Sequence, residues 1–376
     1  MEIAELINRD RLVETFIELI GVDSPSFGER EISSVLAAKL RAAGCDVEIQ
    51  EYGRSVNLVA FRRGNIPHAL PIMLSAHMDT IEPTAGIVYS VGDGRIRTTG
   101  QTVLGADDKS ALAQIIEAMT VIHERQLSHG DIEIVLSSAE EKGLVGARSL
   151  DFGGLRSRYA LVLDSSGEVG KIVTAAPTHI TYEMAITGRS AHAGIEPEKG
   201  INAIRVAAAV ISEVPDGRID EVTTANIGII RGGTAANVVP KEVVVHGEVR
   251  SHDAAALEET KRRIFETAKK VAAASCAEVR ITDGEEYRSF SISSSEPFLK
   301  FLEGVFRDCG TQPVYAITGG GSDANIFHCH GIMAVNISTG MQNVHSTDEY
   351  IEIRDLVRGC LVTLKTATAF HRFMKK

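Results

Sequence analysis

The chain has 376 residues, 44% hydrophobic and 24% charged, which describes an ordinary globular protein with length for about two to three domains. Its formal net charge of −11, with Lys and Arg scattered along the chain, excludes nucleic acid and anionic membrane surfaces as partners. No apolar run approaches the ~18 residues of a membrane span, and five dispersed cysteines without C-x-x-C spacing point to reduced thiols in the cytoplasm.

The opening segment MEIAELINRDRLVETFIELI mixes acids and bases in an amphipathic pattern and lacks the basic start and apolar core of a secretory signal. Leu12, Val13, Phe16, Ile17 and Ile20 recur at helical spacing, and EISSVLAAKLRAAG reads as a second helix closing on Gly44. Short apolar runs follow: DVEIQEY, NLVAF, PIMLSA, DIEIVLSSA and ALVLD, with the helical stretch SALAQIIEAMTVIHERQL between the third and fourth. Buried strands interleaved with helices predict an α/β, doubly wound, mostly parallel sheet.

A second rhythm begins near Pro177. ITYEMAITG, GINAIRVAAAVISEV, TTANIGIIRGG, EVVVHGEVRS, AAALEETKRRIFETAKKVAAASC and AEVRITDGEEY read as βαββαβ, the order of a ferredoxin-like α+β unit. After Phe290 the α/β alternation resumes and ends in a long helix from Arg354. The expected organisation is a discontinuous α/β domain, residues 1–176 and 289–376, interrupted by an inserted α+β domain over 177–288.

Acids and histidines collect where the strand patterns end. PIMLSA runs into His77 and Asp79, DIEIVLSSA into Glu140 and Glu141, and ALVL into Asp164, while Asp107 and Asp108 open a helix after a Gly-Ala turn. In open α/β sheets the carboxyl ends of strands carry the functional groups. Taken singly, each residue has an ordinary reading: a turn histidine, a charged helix start, an Asx-turn. Their joint occurrence at successive strand ends points instead to a metal pair. Such a pair needs a carboxylate that gives one oxygen to each ion, terminal His and carboxylate ligands, and an unligated carboxylate as base. His-x-Asp fits a ligand and the residue that orients it.

The segments SAHMDT, LGADDKSALA, SAEEKGLVGA, LVLDSSG, GRSAHAG and NVHSTDEY resemble, in order, the motifs of the co-catalytic zinc exopeptidases. That family includes peptidase T, glutamate carboxypeptidase and succinyl-diaminopimelate desuccinylase, and the peptidase T-like branch is the most similar. The resemblance spans His77 to His345. It implies two Zn2+ per subunit, for which Co2+ or Mn2+ can substitute. His77 and Asp164 would bind the first ion, Glu141 and His345 the second, with Asp107 bridging. Asp79 would orient His77, and Glu140 would be the general base toward a metal-bridging hydroxide. Family members often hold the peptide after the bridging Asp in the cis form.

In the inserted lid, His192 of TGRSAHAG matches a histidine that reaches a neighbouring subunit's active site and stabilises the oxyanion. Asn237 and Arg250 match positions that bind the substrate carbonyl or carboxylate. A turn histidine, a turn former and an ion-pair partner are the alternatives for these three. The edge strands of a ferredoxin-like sheet offer a route to a homodimer, which action of His192 in trans requires.

The implied activity is that of a tripeptide aminopeptidase on short peptides. The same metal chemistry would also serve a carboxypeptidase or an N-acyl amino acid deacylase, and a catalytically silent metal-binding protein is a third reading. Lys142 after the Glu pair and Ser110 after DDK depart from the usual family residues without removing a ligand. The glycine run AITGGGSDAN either cradles a substrate carboxylate or makes a tight turn. His328, Cys329 and His330 in FHCHG match none of the ligand motifs and read as structural.

Overall fold

Strands Ile72–His77 and Ile132–Ser137 are buried at every position, the signature of strands covered on both faces. They pair in parallel with each other, and Tyr159–Ser165 and Met333–Ser338 extend the parallel block. The computed structural model describes residues 3–373. The chain divides into two units, one built from residues up to Thr174, Ser291–Thr318 and Ser322 onward, the other from Ala175–Phe290 with Gly319–Gly321.

In the first unit the parallel strands lie in the spatial order Ile132–Ser137, Ile72–His77, Tyr159–Ser165, Met333–Ser338. Chain order reverses beside Ile72–His77, so a topological switch point lies between the ends of Ile72–His77 and Tyr159–Ser165. Antiparallel strands flank this block, Asp46–Tyr52 and Ser55–Arg62 on one side and Lys171–Ala176 on the other, and Phe290–Ser291 and Val314–Ile317 pair with Lys171–Ala176 to complete the nine-stranded sheet. The sheet is therefore mostly parallel at its centre, as expected. Helix Ala106–Arg125 packs against Ile353–Ala369 and Arg9–Ile20, with Leu112, Ile115, Met119 and Ile122 fully buried.

A four-stranded sheet that sequence patterning does not reveal joins Tyr89–Gly92, Arg95–Thr98, Tyr350–Glu352 and Met341–Gln342. Its pairing of Tyr350 with Arg97 and Ile351 with Ile96 brings the segment after His345 beside the chain leading to Asp107.

The second unit has the expected βαββαβ order and an antiparallel sheet in the order Thr223–Gly232, Glu242–Ser251, Thr178–Thr187, Glu278–Tyr287, with a short strand Gly217–Arg218 at one edge. Alternate residues of its central strands turn to one face. Ile180, Met184, Ile186, Val243, Val245 and Val249 meet Val206 and Val210 of helix Ala203–Glu213 and Ile264 and Ala268 of helix Ala254–Ala274. Asn202 and Asp253 cap those helices, accepting the N–H groups of Arg205 and Ala256. Among the described residues no helix is long and apolar enough to cross a membrane.

Candidate active site

His77 is the last residue of its strand and is 2% exposed. Its Nδ1 lies 2.8 Å from the main-chain oxygen of Asp79. A carbonyl only accepts, so Nδ1 carries a proton, and a neutral ring would then present the Nε2 lone pair. The Asp79 carboxylate stands farther from the ring, at 3.5 Å, and its oxygens serve another element. Oδ1 accepts the N–H of Glu140 at 2.9 Å, while Oδ2 accepts the Ser26 hydroxyl at 2.7 Å and the N–H of Glu141 at 3.2 Å. Asp79 thus fixes the turn that carries the Glu pair as well as standing beside His77.

Asp107 divides its two oxygens between two histidines. Oδ1 is 3.0 Å from His77 Nε2 and Oδ2 is 3.2 Å from His345 Nε2. The backbone there is not yet helical, with φ −85° and ψ 100°, and the Asp107–Asp108 peptide is cis, as the resemblance implied. Asp108 points back into the protein, where its Oδ2 accepts the N–H of His77 at 3.2 Å. Lys109 is buried too, donating to the main-chain oxygen of Val22 at 2.7 Å, and burial pushes its ammonium down to about 8.

Glu140 and Glu141 form a short 3-10 turn just beyond strand Ile132–Ser137. Glu141 Oε1 lies 2.9 Å from His345 Nε2. Asp164, next to the end of its strand, has Oδ1 3.7 Å from His77 Nε2. The donor atoms of three sets converge within 4.8 Å of one another: His77, Asp107 and Asp164; Asp107, Glu141 and His345; and His77, Glu140 and Glu141. Each set has the oxygen and nitrogen donors suited to a divalent ion such as zinc.

The electrostatics favour a cation. Burial and then the charge of Asp164 push Glu140 well above its ordinary range, and burial does the same to Asp164, with Asp107 adding to it. Burial also works against ionised Asp107, yet the His345 and His77 contacts hold it well below its usual range. A neutral His77 that donates through Nδ1 sets an Nε2 lone pair against a carboxylate oxygen. That contact needs a proton or a metal ion between the two atoms.

Three buried side chains that hold this cluster are not evident from sequence. Glu349, 1% exposed, accepts the N–H groups of Leu104, Gly105 and Asp107 at 2.7, 2.8 and 3.0 Å. Glu29 accepts the N–H groups of Phe27 and Ala139, both at 2.8 Å, and the Ser55 hydroxyl at 2.5 Å. It thereby fixes Ala139, which has φ 47° immediately before Glu140. The Asn336 amide pairs with both main-chain groups of Asp164, at 3.0 and 2.9 Å. Their spacing from the ligand motifs is the only sequence signal, Glu349 lying four residues after His345.

His192, Asn237 and Arg250 belong to the second unit. His192 and Asn237 are exposed and adjacent: His192 bridges to Val238, and the N–H of Ala193 donates to the main-chain oxygen of Asn237 at 3.0 Å. Arg250 is half-buried and forks onto Glu248 through Nε and Nη2, both at 3.0 Å, and Nη1 donates to the Tyr287 hydroxyl at 3.2 Å.

The other two candidates resolve into structure. Ser322 and Asn325 form a reciprocal capping box at helix Asp323–Cys329, so the glycine run ends in a self-satisfied helix start. A Cβ on Gly321 would sit 2.3 Å from the Tyr287 ring, which requires glycine there. In FHCHG, His328 Nε2 lies 2.9 Å from the main-chain oxygen of Ala334, while His330 stacks on Phe152 with ring centroids 3.6 Å apart.

Comparison with known proteins agrees with this geometry. Residues 174–276 match the peptidase dimerisation domain, and residues 57–206, which carry His77, Asp107, Glu140, Glu141 and Asp164, match peptidase family M28. The chain is 37% identical over 360 residues to the uncharacterized protein YqjE of Bacillus subtilis, covering 94% of this chain and 96% of that protein. The crystal structure of aminopeptidase PepT from Bacillus cereus superposes with a TM-score of 0.86 at 36% identity, covering 97% of this chain and 99% of that one. A tripeptidase from Staphylococcus aureus gives a TM-score of 0.91 at 34% identity, covering 98% and 100%. The chain therefore belongs to the peptidase T-like branch of the M20 peptidase family and is an enzyme of the peptidase type.

Proposed function

We propose that this enzyme removes the N-terminal residue of short peptides, as a tripeptide aminopeptidase, with two Zn2+ per subunit that Co2+ or Mn2+ can replace. The observation that carries the metal reading is Asp107, whose two oxygens face His77 Nε2 and His345 Nε2 at 3.0 and 3.2 Å. His77 and Asp164 would hold one ion and Glu141 and His345 the other, with Asp107 shared between them. The peptide specificity draws its support from the aminopeptidase and tripeptidase likenesses.

Bound there, the ions would supply Lewis acidity to the scissile carbonyl and to the attacking water. Glu140 then takes the water's proton on its carboxylate and returns it to the departing amine. Burial raises its affinity for that proton. Asp79 keeps Glu140 and Glu141 in place through their N–H groups.

In the second unit, His192 would stabilise the oxyanion from a neighbouring subunit, and Asn237 and Arg250 would hold the substrate's carbonyl or carboxylate. A homodimer through this unit agrees with the dimerisation-domain match. The free state of all five cysteines suits a cytoplasmic enzyme.

The deciding experiment strips the metal, reloads zinc, cobalt or manganese, and assays tripeptides, dipeptides and N-acyl amino acids. Release of the N-terminal residue from tripeptides is expected. Cleavage of an N-acyl compound with no free-amine peptide cleaved would replace the aminopeptidase with a deacylase. An active species that stays monomeric at assay concentration would remove the role of His192 in trans.

A further inference from the structure

Asp107 can serve two ions only if its carboxylate stays turned edge-on between His77 and His345. It sits, however, on a non-helical turn that begins at Gly105 in the left-handed region (φ 75°), and an isolated turn of this kind has no intrinsic reason to hold one setting. The N–H groups of Leu104, Gly105 and Asp107 all point at one buried carboxylate, that of Glu349, whose Oε2 takes the first two and whose Oε1 takes the third. Glu349 ends the loop that begins at His345, and its own main-chain oxygen accepts the N–H of Thr98 at 3.3 Å. The next residues, Tyr350–Glu352, pair with Arg95–Thr98.

We infer that Glu349 is the positioning residue of the metal centre, tying the His345 loop to the Asp107 turn so that each Asp107 oxygen faces its own histidine. The inference rests on the di-metal reading above. A carboxylate is the group suited to this place, since it accepts on both oxygens, whereas an amide sets a donor against one of the N–H groups. Outer residues of this kind typically change metal affinity by about 10–100-fold.

The test is metal uptake, independent of turnover. Metal-free wild-type protein, Glu349→Gln and Glu349→Asp are titrated with Co2+, and the visible absorption and stoichiometry are followed. Glu133→Gln is the control for a purely structural loss. Glu133 is also a buried acid that accepts main-chain N–H groups, those of Arg156 and Ser157, but it lies near the start of its strand, at the end of the sheet away from His77. Wild type should take up two ions. Both Glu349 variants should weaken at least one ion by about tenfold or more and alter the cobalt spectrum, while Glu133→Gln stays within about threefold of wild type. Wild-type affinity and spectrum in either folded Glu349 variant would overturn the inference, as would an equal loss in Glu133→Gln. A wild-type protein that binds fewer than two ions would overturn the di-metal reading and this inference with it.

Discussion

The carboxylate of Asp79 accepts the main-chain N–H of Glu140 at 2.9 Å, so the residue beside the proposed histidine ligand His77 also sets the position of the proposed base. The contact joins the ends of two adjacent parallel strands, Ile72–His77 and Ile132–Ser137. Asp79→Asn keeps the shape but opposes an amide donor to one of three groups that donate to Asp79. Metal binding should weaken about tenfold, and turnover should fall by about 100-fold or more even at saturating metal, whereas a residue acting only through His77 would lose turnover only through lost metal. Metal content and kcat measured together decide it, and full metal affinity with full kcat would refute the double role.

Glu140→Gln separates base from ligand. General acid–base groups contribute about 10²–10⁴-fold, so turnover should drop by that factor while both ions remain. Glu140 also lies in one converging donor set with His77 and Glu141, so loss of an ion in this variant would make it a ligand instead. Metal analysis on the purified variant distinguishes the two.

The site was legible in the sequence to the extent that its chemistry sits at strand ends. His77, Glu140, Glu141 and Asp164 follow apolar runs directly, and the βαββαβ order of the second unit follows from its alternation. Glu29, Glu349 and Asn336 were hidden because a buried acid or amide that satisfies main-chain N–H groups has the same local sequence as an exposed turn. Glu349 in particular depends on the small sheet that joins Arg95–Thr98 to Tyr350–Glu352, a pairing about 250 residues apart that no local pattern announces. Asp108 shows the same limit: beside Lys109 it reads as a helix-start charge, yet it is wholly buried and serves His77.

His345 occupies the left-handed region at φ 62°, so a clean test of its role must respect the backbone. His345→Asn tolerates that conformation better than Ala does. The variant should keep one ion tightly and lose the other, with activity falling about 100-fold or more, because Asp107 then retains only its His77-side partner. Chelation of the wild type should abolish activity, and zinc or cobalt should restore it. Activity untouched by exhaustive chelation would end the metal reading.

The second unit carries its own titration signature. Glu248 lies between Arg250, which donates to both its oxygens, and His179, whose Nε2 lies 2.9 Å from Oε2. His179 first, and then Arg250 against the opposing effect of burial, hold its carboxyl down at about 2. Its ordinary value is near 4.5, so between about pH 4.5 and 2 the unfolded chain binds a proton that the folded chain refuses. The contribution of Glu248 is therefore fully present above that window and is lost as pH falls through it. Glu248→Gln should lower the thermal midpoint at pH 6, and the gap to wild type should narrow steadily at pH 4.5, 3.5 and 2.5. A gap that stays constant across the series would mean that Glu248 contributes by packing and not by charge.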